Sequence, residues 1–286
     1  MTVAQRSQEH YFFRGDLVLQ IDGVLFKLHQ DILETHSGFF RNILLVRRHN
    51  ITEETTDENP LHLPQDICSA KTFEKLCKFI YVKEAGVVPN VTVRGLDAWE
   101  PVLQATVALD MTGVEKCILD QLAADTSNIS SEAVKLLSWA KRGAHEALQL
   151  ECFRRLAHRR RPMSHTEMAT LGIHVTAQVM YVRERFRTLL LATDDLLPDI
   201  QLHNRCTQRS TCAKKIFDEI VSNLHDSPRD IPEQDASDVF NIKVPSSLCS
   251  SCKPKAVELA GSLKNGWLDG TLKQGIKSAN SLYVDK

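Results

Sequence analysis

Residues 16–40 read Asp-Leu-Val-Leu-Gln-Ile-Asp-Gly-Val-Leu-Phe-Lys-Leu-His-Gln-Asp-Ile-Leu-Glu-Thr-His-Ser-Gly-Phe-Phe. Asp22-Gly23 stands between two aliphatic runs, and Asp-Gly is a dipeptide that tolerates the positive φ angles of a two-residue type I′ hairpin turn. Both runs alternate. Leu17, Leu19 and Ile21 fall on one face of the first strand and Val24, Phe26 and Leu28 on one face of the second, so the hairpin can press one face on a core. From Asp31 the period changes: Ile32, Leu33, His36, Phe39, Phe40, Ile43 and Leu44 recur at helical spacing, with Asp31 placed to cap the start.

Working outward, the sequence carries Leu61-His62-Leu63-Pro64 and then, from Thr72 to Tyr81, Phe73, Leu76, Phe79 and Ile80. Beyond it, 82–97 is irregular, with Gly86, Pro89 and Gly95. Two helical stripes then follow, through Trp99, Val102 and Leu103 and through Val114, Ile118 and Leu122, with Gly113 at the break between them.

These blocks resemble a BTB/POZ domain. Sequences of that family begin with Asp-x-x-Leu, an apolar strand pair joined through Gly, a His, an Ile-Leu helix and Ser-x-x-Phe. Asp16, Leu19, Gly23, Phe26, His29, Ile32, Leu33, Ser37 and Phe40 stand at those places, and Phe73 to Tyr81 is similar to the family's Phe-x-x-Leu-x-x-Phe-Ile-Tyr helix. The resemblance covers 14–124. It implies an α+β fold, a small sheet flanked by a helical cluster, followed here by a mainly α-helical region. It also implies a non-catalytic protein-interaction module that forms homo- or heterodimers, most simply a homodimer. Some members recruit cullin-type ubiquitin-ligase scaffolds. Tyr11, Phe12, Phe13, Asp16 and His29 are the interaction candidates, although the three aromatics equally suit covering the domain's own core. A His at a strand-to-helix corner is read as a hydrogen-bonded packing residue, and the resemblance gives it a structural role.

The chain has 286 residues, 43% hydrophobic content and a net charge of −1. That length suits one to three domains, and the charge gives no mandate for nucleic acid. Met1 to Gly15 is polar and aromatic rather than a basic-then-apolar leader, and no apolar run approaches bilayer length. The expectation is an intracellular protein, cytoplasmic or nuclear, with no membrane contact. In a reducing compartment its eight cysteines are buried small hydrophobes, metal ligands or reactive thiols rather than disulfides. No Gly-x-Ser-x-Gly, Gly-x4-Gly-Lys or His-Glu-x-x-His occurs, so the chain reads as a non-enzyme.

A polar stretch at 125–131 marks a boundary. Helical patterns fill 131–192, including a capping box of Ser164 with Glu167 and a stripe through Val175, Val179, Val182, Phe186 and Leu189. This layout is similar to the helical extension that follows many BTB domains. A third region, 200–275, holds Cys206, Cys212, Cys249 and Cys252. Cys-x-x-Cys lets two thiolates reach one tetrahedral ion, and a second pair closes the site. Structural zinc on these four, with His203 as an alternative ligand, stands against free or transiently oxidised thiols. The spacing is similar to the carboxy-terminal part of a group of fungal BTB-domain proteins, although Ile216-Phe217 replaces a Trp common there. Arg154, Arg155, His158, Arg159, Arg160 and Arg161 form the strongest basic run. A solvated helix end complementing the helix dipole is the preferred reading. The alternative is a transcriptional or chromatin regulator that contacts nucleic acid through this run and a zinc-stabilised carboxy-terminal region.

Overall fold

The computed structural model describes residues 4–50, 55–64, 66–84, 86–192, 197, 200–225, 238–263 and 269–281, arranged in two compact units, Met1–Asp125 and Thr126–Lys286. In the first unit, β1 (Gln5–Tyr11), β2 (Leu17–Ile21), β3 (Val24–Leu28) and β4 (Leu61–His62) form one mixed sheet in the order β1-β3-β2-β4. β2 and β3 pair antiparallel and close at Ile21 and Val24, whereas β1 on β3 and β4 on β2 are parallel. Asp22 has φ 49° and Gly23 φ 75°, the two positive values a type I′ turn requires.

Asp22 also acts at a distance. Its Oδ2 accepts the Ala70 N–H at 2.9 Å, where α3 (Ala70–Ile80) begins. Ser69 Oγ accepts the Thr72 N–H at 3.2 Å. Two N–H groups that the first turn of a helix leaves without partners are thereby satisfied, and a carboxylate faces the positive end of the helix dipole. Phe73 of α3 meets Phe26 of β3 edge to face at 5.1 Å and Phe40 at 6.2 Å. Leu17, Leu19, Ile21 and Leu28 are fully buried around them. Val18 and Leu25 are buried as well, so the hairpin is covered on both faces at these positions rather than on one. The Val18 N–H donates to Thr55 Oγ1 at 2.8 Å.

Three local expectations are corrected. The helical stripe from Asp31 is two helices, α1 (Gln30–His36) and α2 (Gly38–Asn50), broken at Ser37. Ser37 Oγ donates to Leu109 O at 2.5 Å and accepts the Phe40 N–H, so the break is held by a carbonyl 72 residues away. Asp31 does not cap from the position before the helix; it lies in the first turn, and Asp16 Oδ1 accepts the Gln30 N–H at 2.8 Å. Between α4 (Leu96–Ala108) and α5 (Thr112–Ala124), the turn falls on Asp110, at φ 49°, while Gly113 lies inside α5. Gly38 approaches Asp110 so closely that an added Cβ would overlap its carboxylate.

The second unit comprises α6 (Ile129–Arg142), α7 (Glu146–His158), α8 (His165–Ala192), α9 (Arg209–His225), α10 (Ala256–Leu263) and α11 (Asp269–Ser281). The capping box forms: Glu167 accepts the Ser164 N–H at 2.8 Å and Ser164 Oγ accepts the Glu167 N–H at 3.2 Å. Gly172, at φ 72°, breaks α8 into two helical pieces. Phe186 and Leu190 near its end share one buried cluster with Cys212, Ile216, Ile220, Phe240, Cys252 and Leu259, so the end of α8 packs with the cysteine-bearing region.

Candidate interaction face and metal centre

β1 escaped detection as a strand because its apolar pattern does not alternate. Its buried positions are Ser7 and His10, three residues apart, and its register with β3 shifts between Arg6 and Tyr11. An edge strand with such an irregularity need not show a period of two. The five candidate residues at and beyond it have different occupations. Tyr11 donates its hydroxyl to Asp57 Oδ1 at 2.6 Å, while the Arg6 guanidinium pairs with Asp57 and lies 4.7 Å over the Tyr11 ring. Burial and that bond raise the Tyr11 hydroxyl's pKa, and the bond lowers that of Asp57. Phe12 packs 4.9 Å from Tyr81 and 5.4 Å from His29. His29 sits one residue before α1 and makes no side-chain cap; its backbone N–H donates to the Tyr81 hydroxyl at 3.0 Å. Its Nδ1 is buried without a hydrogen-bond partner, so the ring is held by Phe12 and Tyr81. Asp16 is committed to α1. Phe13 differs from these: it is 94% exposed, a large ring held in water beside an edge strand.

In the second unit the sulfurs of Cys206, Cys212, Cys249 and Cys252 all lie within 4.8 Å of one another, and those of Cys206 and Cys249 are 3.8 Å apart. Cys212 is on the first turn of α9. Cys206 and the Cys249–Cys252 pair come from turns, in which the Cys206 N–H donates to His203 O and the Cys252 and Lys253 N–H groups donate to Cys249 O. Backbone N–H groups of Cys252 and Ser251 donate to the Cys249 sulfur and bring its thiol down to about 7. Burial pushes Cys252 up to about 12, against the His203 N–H that donates to it, and pushes Cys212 up against the Cys249 N–H. Four sulfurs at this separation, three of them buried and each of three facing a backbone donor, make a donor set able to hold a metal ion.

His203 is not among the clustered donors. Its Nδ1 accepts the Arg205 N–H at 3.2 Å. Cys77 and Cys152 are fully buried with thiol pKa values raised by burial, as isolated core cysteines are. Cys68 is likewise buried, its thiol pushed up to about 12.

The basic run is not a solvated helix end. Arg154 and Arg155 pair with Glu151. Arg159, only 4% exposed, and Arg161 both pair with Glu167, at 2.6 and 2.9 Å. The buried Arg183 donates to the carbonyls of Arg159, Arg160 and Arg161. Glu167 is therefore the hub of a folded-in charge network. Burial works against its ionisation, but hydrogen bonds from Arg159, Arg161 and the Ser164 N–H hold its carboxyl down to about 2. Only the capping-box half of that role was visible in the sequence.

The first unit is thus an α+β domain in which a short mixed sheet carries a helical cluster and presents an edge strand beside an exposed aromatic. Residues 4–125 match the BTB/POZ domain family, a match that takes in β1. BTB/POZ domains are protein-interaction modules, engaging other proteins or further copies of themselves. No curated protein matches the chain. Among the described residues no helix is long and apolar enough to cross a membrane.

Proposed function

We propose that this chain is a non-catalytic interaction protein whose BTB domain forms a homodimer through the outer edge of β1 and the Phe13 ring, with the metal-stabilised second unit as its companion. The observation that carries this reading is the match over 4–125 together with β1 at the end of the sheet order. An edge strand offers unpaired N–H and C=O groups for strand addition, and an exposed aromatic adjacent to it supplies the apolar anchor that such contacts use. Phe13→Asp is expected to leave the unfolding free energy of the monomeric form within about 0.5 kcal/mol of the parent, since the ring is in solvent. It should weaken self-association at least roughly tenfold, the effect of losing one anchor residue. Sizing with light scattering over a concentration series measures this. A parent chain that stays monomeric at every concentration overturns the homodimer.

Docking to a cullin-type scaffold is the finer reading that the family resemblance supports. Co-purification with a cullin amino-terminal domain tests it. For the cysteine centre we read the ion as zinc, because an all-thiolate set with no oxygen ligand suits that ion. Its similarity to the cysteine-bearing tails of fungal BTB proteins supports treating tail and domain as parts of one functional protein. A cytoplasmic or nuclear location is consistent with eight unpaired thiols.

A further inference from the structure

We propose that the zinc ion is a folding element: a closed tetrathiolate centre on Cys206, Cys212, Cys249 and Cys252 supplies the free energy that orders segments 200–208 and 242–255 and pins the starts of α9 and α10. The inference rests on the reading of the four thiols as zinc ligands.

Geometry limits the ion to one. With zinc–sulfur bonds of about 2.3 Å, tetrahedral coordination sets ligand sulfurs about 3.8 Å apart. Cys206 and Cys249 are at 3.8 Å and the whole set is within 4.8 Å. Four protein ligands also fill the tetrahedron and leave no open position for substrate or water, which marks a structural rather than a catalytic site.

The segments that deliver the ligands explain the dependence. Residues 200–208 and 242–252 contain neither strand nor α-helix, and their internal backbone bonds are isolated turns. Their apolar residues Ile200, Ile242 and Leu248 are buried in the same cluster as three of the sulfurs. Without an ion the four thiols offer only weak S–H interactions, and four thiolates would repel one another. Ordering roughly twenty residues of turn carries a backbone-entropy cost that the three buried apolar side chains of these segments offset only in part. Zinc bound as the site folds adds its binding free energy to the folded state, each thiol giving up its proton as it ligates. Four thiolates and one Zn2+ leave two net negative charges. Exposed Arg205 and Lys253, flanking Cys206 and Cys252, and Arg209 at the start of α9 place positive charge close by.

The test uses the full chain. Metal content, protease resistance and far-ultraviolet circular dichroism are measured before and after chelation in the presence of reductant, then after zinc is returned. We expect one zinc per chain, and for a cobalt-substituted sample the absorption of a tetrahedral tetrathiolate. With zinc at about a hundred times its Kd, mass action raises the folded-to-unfolded ratio about a hundredfold. Chelation should therefore expose cleavage sites in 200–263 by a similar factor and leave 4–125 resistant, and zinc should restore protection. Cys252→Ser should lose the metal, Cys252→His should keep it, and Cys152→Ser in α7 is the control that retains it. Stoichiometric zinc whose removal leaves protection unchanged overturns the inference but not the zinc reading. A chain that is folded and zinc-free in all these measurements overturns both.

Discussion

The hairpin and the cysteine centre are both built around tight turns, yet they are held in opposite ways. In the hairpin, five residue pairs are in register between β2 and β3, and seven of their ten side chains are buried. Everything needed for its closure lies within twelve consecutive residues, 17–28. At the cysteine centre, Cys206 and Cys249 meet across 43 positions through turns that have no ladder. Local apolar patterning and a continuous ladder shape the first structure, while the second depends on chemistry between distant side chains.

That contrast can be broken most severely from the hairpin's side. Phe73→Ala removes the ring on which Phe26 and Phe40 pack and is expected to cost about 3–5 kcal/mol. Denaturant unfolding of the variant should show the loss in the first unit with zinc content unchanged. If metal content fell in step, the two regions would not be independent.

Next in size is Glu167→Gln in the charge network of the second unit. Leaving Arg159 without its carboxylate is expected to cost about 2–3 kcal/mol, less than for a fully enclosed pair because Glu167 keeps some contact with solvent. The same residue sets a pH dependence. Its carboxyl is held down to about 2 from an ordinary 4.5, so its stabilising contribution is complete above pH 4.5 and is lost as pH falls through about 2. Acid titration followed by tryptophan fluorescence should show this loss in the parent chain and a shallower response in the Gln variant.

The smallest effect sharpens the comparison. Ser69→Ala removes one N-terminal acceptor of α3 and should cost about 1 kcal/mol. The partner acceptor from Asp22 remains, so thermal unfolding should shift by a few degrees only.

Legibility in the sequence follows the same division. β2, β3 and α3 could be read because their periods are short and their partners adjacent. The four cysteines could be grouped because Cys-x-x-Cys spacing has a mechanical meaning. What could not be read depends on a distant partner. Ser37 breaks a continuous apolar stripe because Leu109 O is there to accept from it. Asp16 supplants Asp31 at α1 because the strand delivers it. His203 stands outside the cluster of four sulfurs, its Nδ1 accepting a backbone N–H two residues on. The basic run looked solvated because the sequence shows five arginines and a histidine but not the fold that turns Arg154 and Arg155 onto Glu151 and Arg159 and Arg161 onto Glu167.

Asp22 is where a local and a distant demand fall on one residue. As a former of type I′ turns, Asn-Gly would serve as well as Asp-Gly. Only the carboxylate, however, carries a full negative charge to the start of α3, 48 residues away. The choice between two otherwise interchangeable turn residues is therefore made by a helix outside the hairpin. The hairpin acts as a mooring: its turn residue holds the charged end of a helix drawn from elsewhere in the chain.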